Sequence, residues 1–140
     1  MSKSKQEDFI NFLSKVPFFT EVKEASLKHL CIGLKEESFG KNENIFKKGD
    51  EGDSMYVIVE GSVKIHENNY IFSTMQKGEC FGEYALIDDE KRSAAVSTLE
   101  RSTLLKIERD SFLKVIANDS GFSLGILTVL IKRHRDIDAI

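Results

Sequence analysis

Proline is nearly absent from this sequence, cysteine is scarce, and there is neither a basic excess nor a long apolar run. One proline, Pro17, and no serine- or glycine-rich stretch leave nothing that reads as a linker, so the 140 residues are expected to form one domain. Two cysteines, Cys31 and Cys80, are too few for a disulfide framework and lack metal-ligand spacing, and they fit a reduced, cytoplasmic setting. A formal net charge of −3 argues against a protein devoted to nucleic acid, although it leaves room for a local basic patch. The first fourteen residues carry lysines but not the apolar core of a signal peptide. The apolar run at 126–131 is far too short to span a bilayer. What is present is ordinary for a soluble globular chain: 41% hydrophobic and 31% charged residues, enough to bury a core without staples.

Periodicity divides the chain in three. Phe9, Ile10, Phe12 and Leu13 share one face of a short helix that Pro17 is expected to end, with Phe18 and Phe19 tucked into the core. Leu27, Leu30, Cys31 and Leu34 mark a second helix with Gly33 near its end. From Glu37 to Ile107 the pattern becomes short β-branched and aromatic runs: 45–46, 56–59, 63–65, 70–72, 94–96 and 104–107. Turn residues separate them, namely Gly40, Gly49-Asp50, Gly52-Asp53, Gly61, Asn68-Asn69 and Gly78. Many short strands at this spacing predict an antiparallel sandwich or barrel. Helical spacing returns after Arg109, with Asp110 as candidate N-cap and Phe112, Leu113 and Ile116 facing one way. After a break at 118–121, a last helix carries the stripe Phe122, Ile126, Leu127, Leu130, Ile131 and Ile137, with Lys132, Arg133 and Arg135 in its second half. The expected fold is mainly β with flanking helices: a helical N-terminus over 6–35, an antiparallel, jelly-roll-like β-roll over 36–108, and two C-terminal helices over 109–138.

The segment with most chemistry is FGEYALIDDEKRSAA, residues 81–95. Gly82 precedes a short helical turn, Glu83 to Ile87, whose unpaired N–H groups suit an anion that a glycine lets come close. Arg92 supplies a planar fork for two phosphate oxygens, and Ser93, Ala94 and Ala95 leave room beside it. Glu83 would repel a bare phosphate, yet it suits a sugar hydroxyl as acceptor. An anion site with a hydroxyl acceptor describes a ribose phosphate. Asp88, Asp89 and Glu90 crowd the same loop and are expected to face solvent, partly offset by Lys91.

This segment resembles the phosphate-binding cassette of the cyclic-nucleotide-binding domains of catabolite activator proteins, protein kinase A regulatory subunits and cyclic-nucleotide-gated channels. GDEGDSMYVIVEGSVKI at 49–65 matches a second signature of that family, with Gly49, Gly52 and Gly61 at its turn glycines, and FLSKVPFF at 12–19 resembles its opening helix and loop. The resemblance implies a binding set of Gly82, Glu83, Tyr84, Arg92, Ser93 and Ala94. Arg92 pairs the cyclic phosphate, Glu83 holds the ribose 2′-hydroxyl, and the backbone around Gly82, Ser93 and Ala94 completes the cradle. Serine at 93 leaves cyclic AMP and cyclic GMP both open, with cyclic AMP preferred. The family also implies that the last helix moves as a lid over the base.

The remaining inventory points elsewhere only weakly. His29, His66 and His134 are far apart, and a haem on His66 and Cys80 ranks well below an ordinary strand histidine and thiol. No nucleophile–base–orienter set and no metal-ligand cluster is legible, so no catalysis, cofactor or metal is expected. The expected partners are a cyclic nucleotide and an unidentified effector protein or fused domain, with a homodimer through the last helix as an option and neither membrane nor specific nucleic acid. A sensor standing alone and one domain of a larger protein both fit, and Met1 favours the first. The rival reading is a structural β-roll with a vestigial pocket.

Overall fold

The protein's structure, a computed structural model, describes residues 3–88 and 90–138, and among these residues eight strands form. They are β1 (Lys35–Phe39), β2 (Asn44–Phe46), β3 (Ser54–Glu60), β4 (Ser62–Glu67), β5 (Tyr70–Gln76), β6 (Cys80–Phe81), β7 (Ala95–Thr98) and β8 (Ser102–Glu108). Two four-stranded antiparallel sheets result, in the orders β1-β8-β3-β6 and β2-β7-β4-β5. Both contribute to one core of Tyr56, Ile58, Val63, Phe81, Val96 and Leu104. β3 is buried along most of its length, as befits an inner strand with neighbours on both edges. The antiparallel roll with helices before and after it is the expected architecture. One strand was not legible beforehand: KEESF of β1 is mostly charged and lies at a sheet edge against β8. The strand-like run before Gly82 is β6, of only two residues.

The helices are α1 (Lys3–Leu13), α2 (Glu24–Cys31), α3 (Arg109–Asn118) and α4 (Ser120–Asp138). By compactness the chain divides into a strand unit, Leu34–Arg109, and a helical unit of residues up to Gly33 and from Asp110 on. Phenylalanines build the helical core: Phe18 lies 6.1 Å from Phe112, Phe19 6.4 Å from Phe122, and Phe112 meets Phe122 edge-on at 5.6 Å.

Several helical expectations need correction. Pro17 does not end α1, which stops at Leu13. It opens the 3₁₀ turn Pro17–Phe19, where its missing N–H is harmless. α2 ends at Cys31, so Leu34 lies beyond it. Asp110 sits inside the first turn of α3, and Val115 rather than Leu113 is buried beside Phe112. The last apolar stripe is two faces, not one. Phe122, Ile126 and Val129 are buried, whereas Leu127, Ile131 and Ile137 are exposed.

Gly125 explains the buried face. A Cβ there would meet the Glu21 carbonyl and Val22 Cγ2, both at 2.8 Å, so α4 presses against the 21–22 backbone. The glycine permits this close approach. Gly125→Ala is therefore expected to lower stability by about 1–3 kcal/mol through overpacking, despite alanine's better helix propensity. A thermal melt checks this, and an unchanged or raised Tm would refute the tight contact.

Asp119, between α3 and α4, caps the latter. Its Oδ1 accepts the Phe122 N–H at 3.0 Å and the Ser26 hydroxyl at 3.3 Å, and its Oδ2 lies 2.8 Å from His29 Nδ1. The Phe122 N–H first, then His29, hold its carboxyl below the usual carboxylate range. A depressed folded pKa adds stability above the unfolded value near 3.9, which is lost as pH falls through the lower folded value. Asp119→Ala should cost about 1 kcal/mol at pH 7. That difference should shrink as urea titrations move below pH 4, and a difference constant from pH 7 to 2 would contradict the carboxylate's role.

Candidate functional site

Gly82 adopts a left-handed conformation, φ 80° and ψ 12°, as the chain leaves β6. A Cβ at this position would lie 2.7 Å from Arg92 Nη1 and 3.3 Å from the Ser54 carbonyl. The space a side chain would fill is taken by the Arg92 guanidinium, which the glycine lets lie close against the backbone. Beyond it Glu83–Leu86 is a single 3₁₀ turn, closed by Ala85 N–H donating to the Gly82 carbonyl at 3.2 Å. Ala85 and Leu86 anchor the turn inward, and Glu83 is half-buried. Tyr84 is 77% exposed, so its side chain contributes a rim rather than a wall.

Arg92 is 8% exposed, rare for a cation. Nη2 donates to the Ser54 carbonyl at 2.7 Å and to Ser54 Oγ at 3.3 Å, and Nη1 donates to the Gly82 carbonyl at 3.3 Å. The guanidinium lies over the Phe46 ring, 4.0 Å from its centre. Among the described residues the buried Nε finds no acceptor. Burial pushes the guanidinium below the usual arginine range, opposed by Tyr56 and the carboxylates of Asp53 and Asp50. Its backbone is fixed too: Arg92 N–H donates to the Asp50 carbonyl at 2.8 Å, and its own carbonyl accepts from Gly49 N–H at 2.9 Å.

The two sequence motifs thus meet at one side chain. The stretch from Gly49 to Ser54 holds Arg92 by backbone and side chain, and Gly52 lets the two loops touch, since a Cβ there would lie 2.9 Å from Ala85 Cβ. Arg109 completes the arrangement. Its Nε donates to the Ala85 carbonyl at 2.7 Å, and its Nη2 to the carbonyls of Gly52 at 3.1 Å and Asp88 at 2.8 Å. One side chain at the start of α3 therefore ties the loop after β2 to the 3₁₀ turn.

Beside Arg92 is a cavity of about 380 Å³. Phe46, Ile65, Met75 and Cys80 give it apolar walls, and Glu83, Arg92 and Ser93 give it polar ones. All six residues expected from the sequence (Gly82, Glu83, Tyr84, Arg92, Ser93 and Ala94) line it. Of the acidic loop, Asp88 and Glu90 are exposed at its margin, and Asp89 lies outside the described residues. Sequence reasoning missed Phe46, Ser54, Asp50 and Arg109. The order of the second motif hinted at Ser54 and Asp50, but nothing local pointed to Arg109. His66 engages Ser97 Oγ at 2.8 Å and the Asn68 carbonyl at 2.9 Å through its two ring nitrogens. Among the described residues no group of three or more histidine, cysteine or acidic side chains is placed to hold a metal. No single described helix is long and apolar enough to cross a membrane.

Residues 36–119 match the family described as Cyclic nucleotide-binding domain. The chain is 31% identical over 122 residues to cGMP-dependent protein kinase 2 of Mus musculus, covering 82% of this chain but 16% of the kinase. It is 35% identical over 107 residues to the cGMP-dependent protein kinase of Eimeria tenella, covering 76% of this chain and 11% of that protein. This chain therefore spans a sixth or less of the length of these curated relatives. The N-terminal domain of a transcriptional regulator from Streptomyces coelicolor A3(2) shares the fold with a TM-score of 0.84 at 22% identity, over 91% of this chain and 95% of that one. So does the regulatory domain of Toxoplasma gondii PKA in complex with cAMP, with a TM-score of 0.74 at 20% identity, over 82% and 46%. A buried arginine beside an acidic residue in an apolar-walled cavity, held by both motifs of one family and matched by that family over most of the strand unit, leads to one assignment: the chain belongs to the cyclic nucleotide-binding domain family.

Proposed function

We propose that this chain is a sensor that binds a purine cyclic nucleotide, with cyclic AMP ahead of cyclic GMP, and does no chemistry on it. One observation carries the reading: a nearly fully buried cation at a cavity wall, whose Nε has no acceptor among the described residues. A buried unpaired donor is costly, and phosphate oxygens supply acceptors along with the opposite charge. Glu83 would take the ribose hydroxyl, Ser93 and Ala94 would flank the phosphate, and Ile65, Met75 and Cys80 would face the rest of the ligand. The preference for cyclic AMP rests on Ser93 standing where the resemblance puts threonine in cyclic GMP binders, although its hydroxyl has the same hydrogen-bonding capacity. The names of the curated relatives support cyclic GMP as the second reading.

Signalling is proposed to run through α4 to an effector or fused domain, and specific binding of nucleic acid is not expected. Hydrogen exchange addresses the moving part. Amides of 121–137 should gain more protection with ligand than those of 110–117, and equal protection throughout would make α4 a fixed element. Competition between the two nucleotides for the purified chain tests the ligand preference. A lower dissociation constant for cyclic AMP is expected, and a lower one for cyclic GMP would transfer the assignment to the second reading.

A further inference from the structure

Phe46 touches two groups, an aromatic cluster and a buried cation. One is the aromatic cluster, with Tyr56 stacked on Phe81 at 5.4 Å and Phe46 at 6.2 and 6.0 Å from them. The other is the Arg92 guanidinium, 4.0 Å from the ring centre. Arg92 is gripped at its tip by the Ser54 and Gly82 carbonyls, in bonds made at the guanidinium's edge that leave a face to the Phe46 ring. With the guanidinium lying over it, the ring supports the side chain on that face. The ring also offsets part of the burial cost through its negative face. Both residues line the cavity, and Phe46 reaches it from β2, far in sequence from the cassette.

We infer that Phe46 is a positioning residue for phosphate recognition, acting through Arg92 rather than by touching the nucleotide. This rests on the reading that the cavity holds a cyclic nucleotide. Because cyclic AMP and cyclic GMP share the cyclic phosphate and differ in the base, a residue acting through Arg92 must affect both alike. Cation–π contacts at desolvated sites reach about 2 kcal/mol, so Phe46→Leu should weaken both nucleotides by roughly 5- to 30-fold.

The test is calorimetric titration of the whole chain and of Phe46→Leu, Phe46→Met and Phe46→Tyr with each nucleotide, each variant first shown folded by a thermal melt. Leu and Met should weaken both nucleotides by the same factor, and Tyr should stay within about threefold of the parent. In ¹H–¹⁵N spectra without nucleotide, the Arg92 Nε–H resonance should carry a ring-current shift in the parent and Phe46→Tyr that Phe46→Leu and Phe46→Met lack. Unchanged affinity in both aliphatic variants, a loss confined to one nucleotide, or no rescue by Tyr would overturn the inference while leaving the nucleotide reading intact. If the parent chain binds neither nucleotide, it is the underlying reading that fails. Should Leu not fold, Met carries the comparison, being flexible enough to fill the gap.

Discussion

Replacement of Arg92 by alanine is expected to produce the largest loss of nucleotide affinity of any single change in the chain. Truncating one partner of a buried, hydrogen-bonded charge pair costs about 2–5 kcal/mol, or roughly 30- to several-thousand-fold in dissociation constant. Arg92 qualifies because it is 8% exposed and its position is set independently of any ligand by Ser54, Gly82, Asp50 and Gly49. Arg92→Lys should remain damaging, since a point charge cannot span the Ser54 and Gly82 carbonyls while presenting donors to a phosphate. Glu83→Ala should cost less, because Glu83 would accept from a neutral hydroxyl while repelling the phosphate. The fold should survive Arg92→Ala, because the change removes a buried cation along with its hydrogen bonds. Calorimetric titration reads the effect, and equal affinity for parent and Arg92→Ala would remove Arg92 from the site.

Arg109→Ala should have the largest effect on the architecture of the site. It strips donors from the carbonyls of Ala85, Gly52 and Asp88 in one step. Hydrogen bonds from charged groups contribute about 1.5–3 kcal/mol each when buried. Two of these contacts are part-buried and one is exposed, so a total loss of about 2–4 kcal/mol is expected. Nucleotide binding should weaken as well, although Arg109 is not among the residues around the cavity. The pattern to look for is a fall in Tm accompanied by weaker binding that a slight excess of ligand does not restore. Arg109→Lys should recover only part of it, because one ammonium cannot reach three carbonyls with the geometry of a fork. A variant that melts and binds like the parent would show the three hydrogen bonds to be incidental.

How far these features could be read beforehand depends on whether they are local. β3 and β8 announce themselves, because a run such as MYVIV buries nearly every side chain. β1 does not, because an edge strand with one exposed face can be written KEESF and still pair with β8 over five residues. The two faces of α4 were merged because 3.6-residue spacing is satisfied by either set. Gly125 is what selects the buried one, and its close contact with Glu21 and Val22 is a tertiary fact. At the site, Gly82, Glu83 and Arg92 were legible because their order along the chain is the motif. The contact between Gly82 and the guanidinium was not, since the Arg92 side chain comes from ten residues away. Phe46 and Arg109 were silent for the same reason. A phenylalanine ending a short strand and an arginine opening a helix have ordinary local explanations, and only the fold brings them to Arg92 and to the 3₁₀ turn.

The central claim is that the buried cation at the cavity wall is a cyclic-phosphate site. Isothermal titration of the purified chain with cyclic AMP and cyclic GMP, repeated with Arg92→Ala, tests it most directly. The expected result is saturable binding of at least one nucleotide with a micromolar or lower dissociation constant, roughly −8 kcal/mol or better, that weakens at least 30-fold in the variant. Bound ligand at about 100 times its dissociation constant should also stabilise the fold by about 2.7 kcal/mol. No heat and no shift in Tm with either nucleotide at millimolar concentration would contradict the claim and leave the cavity a vestige.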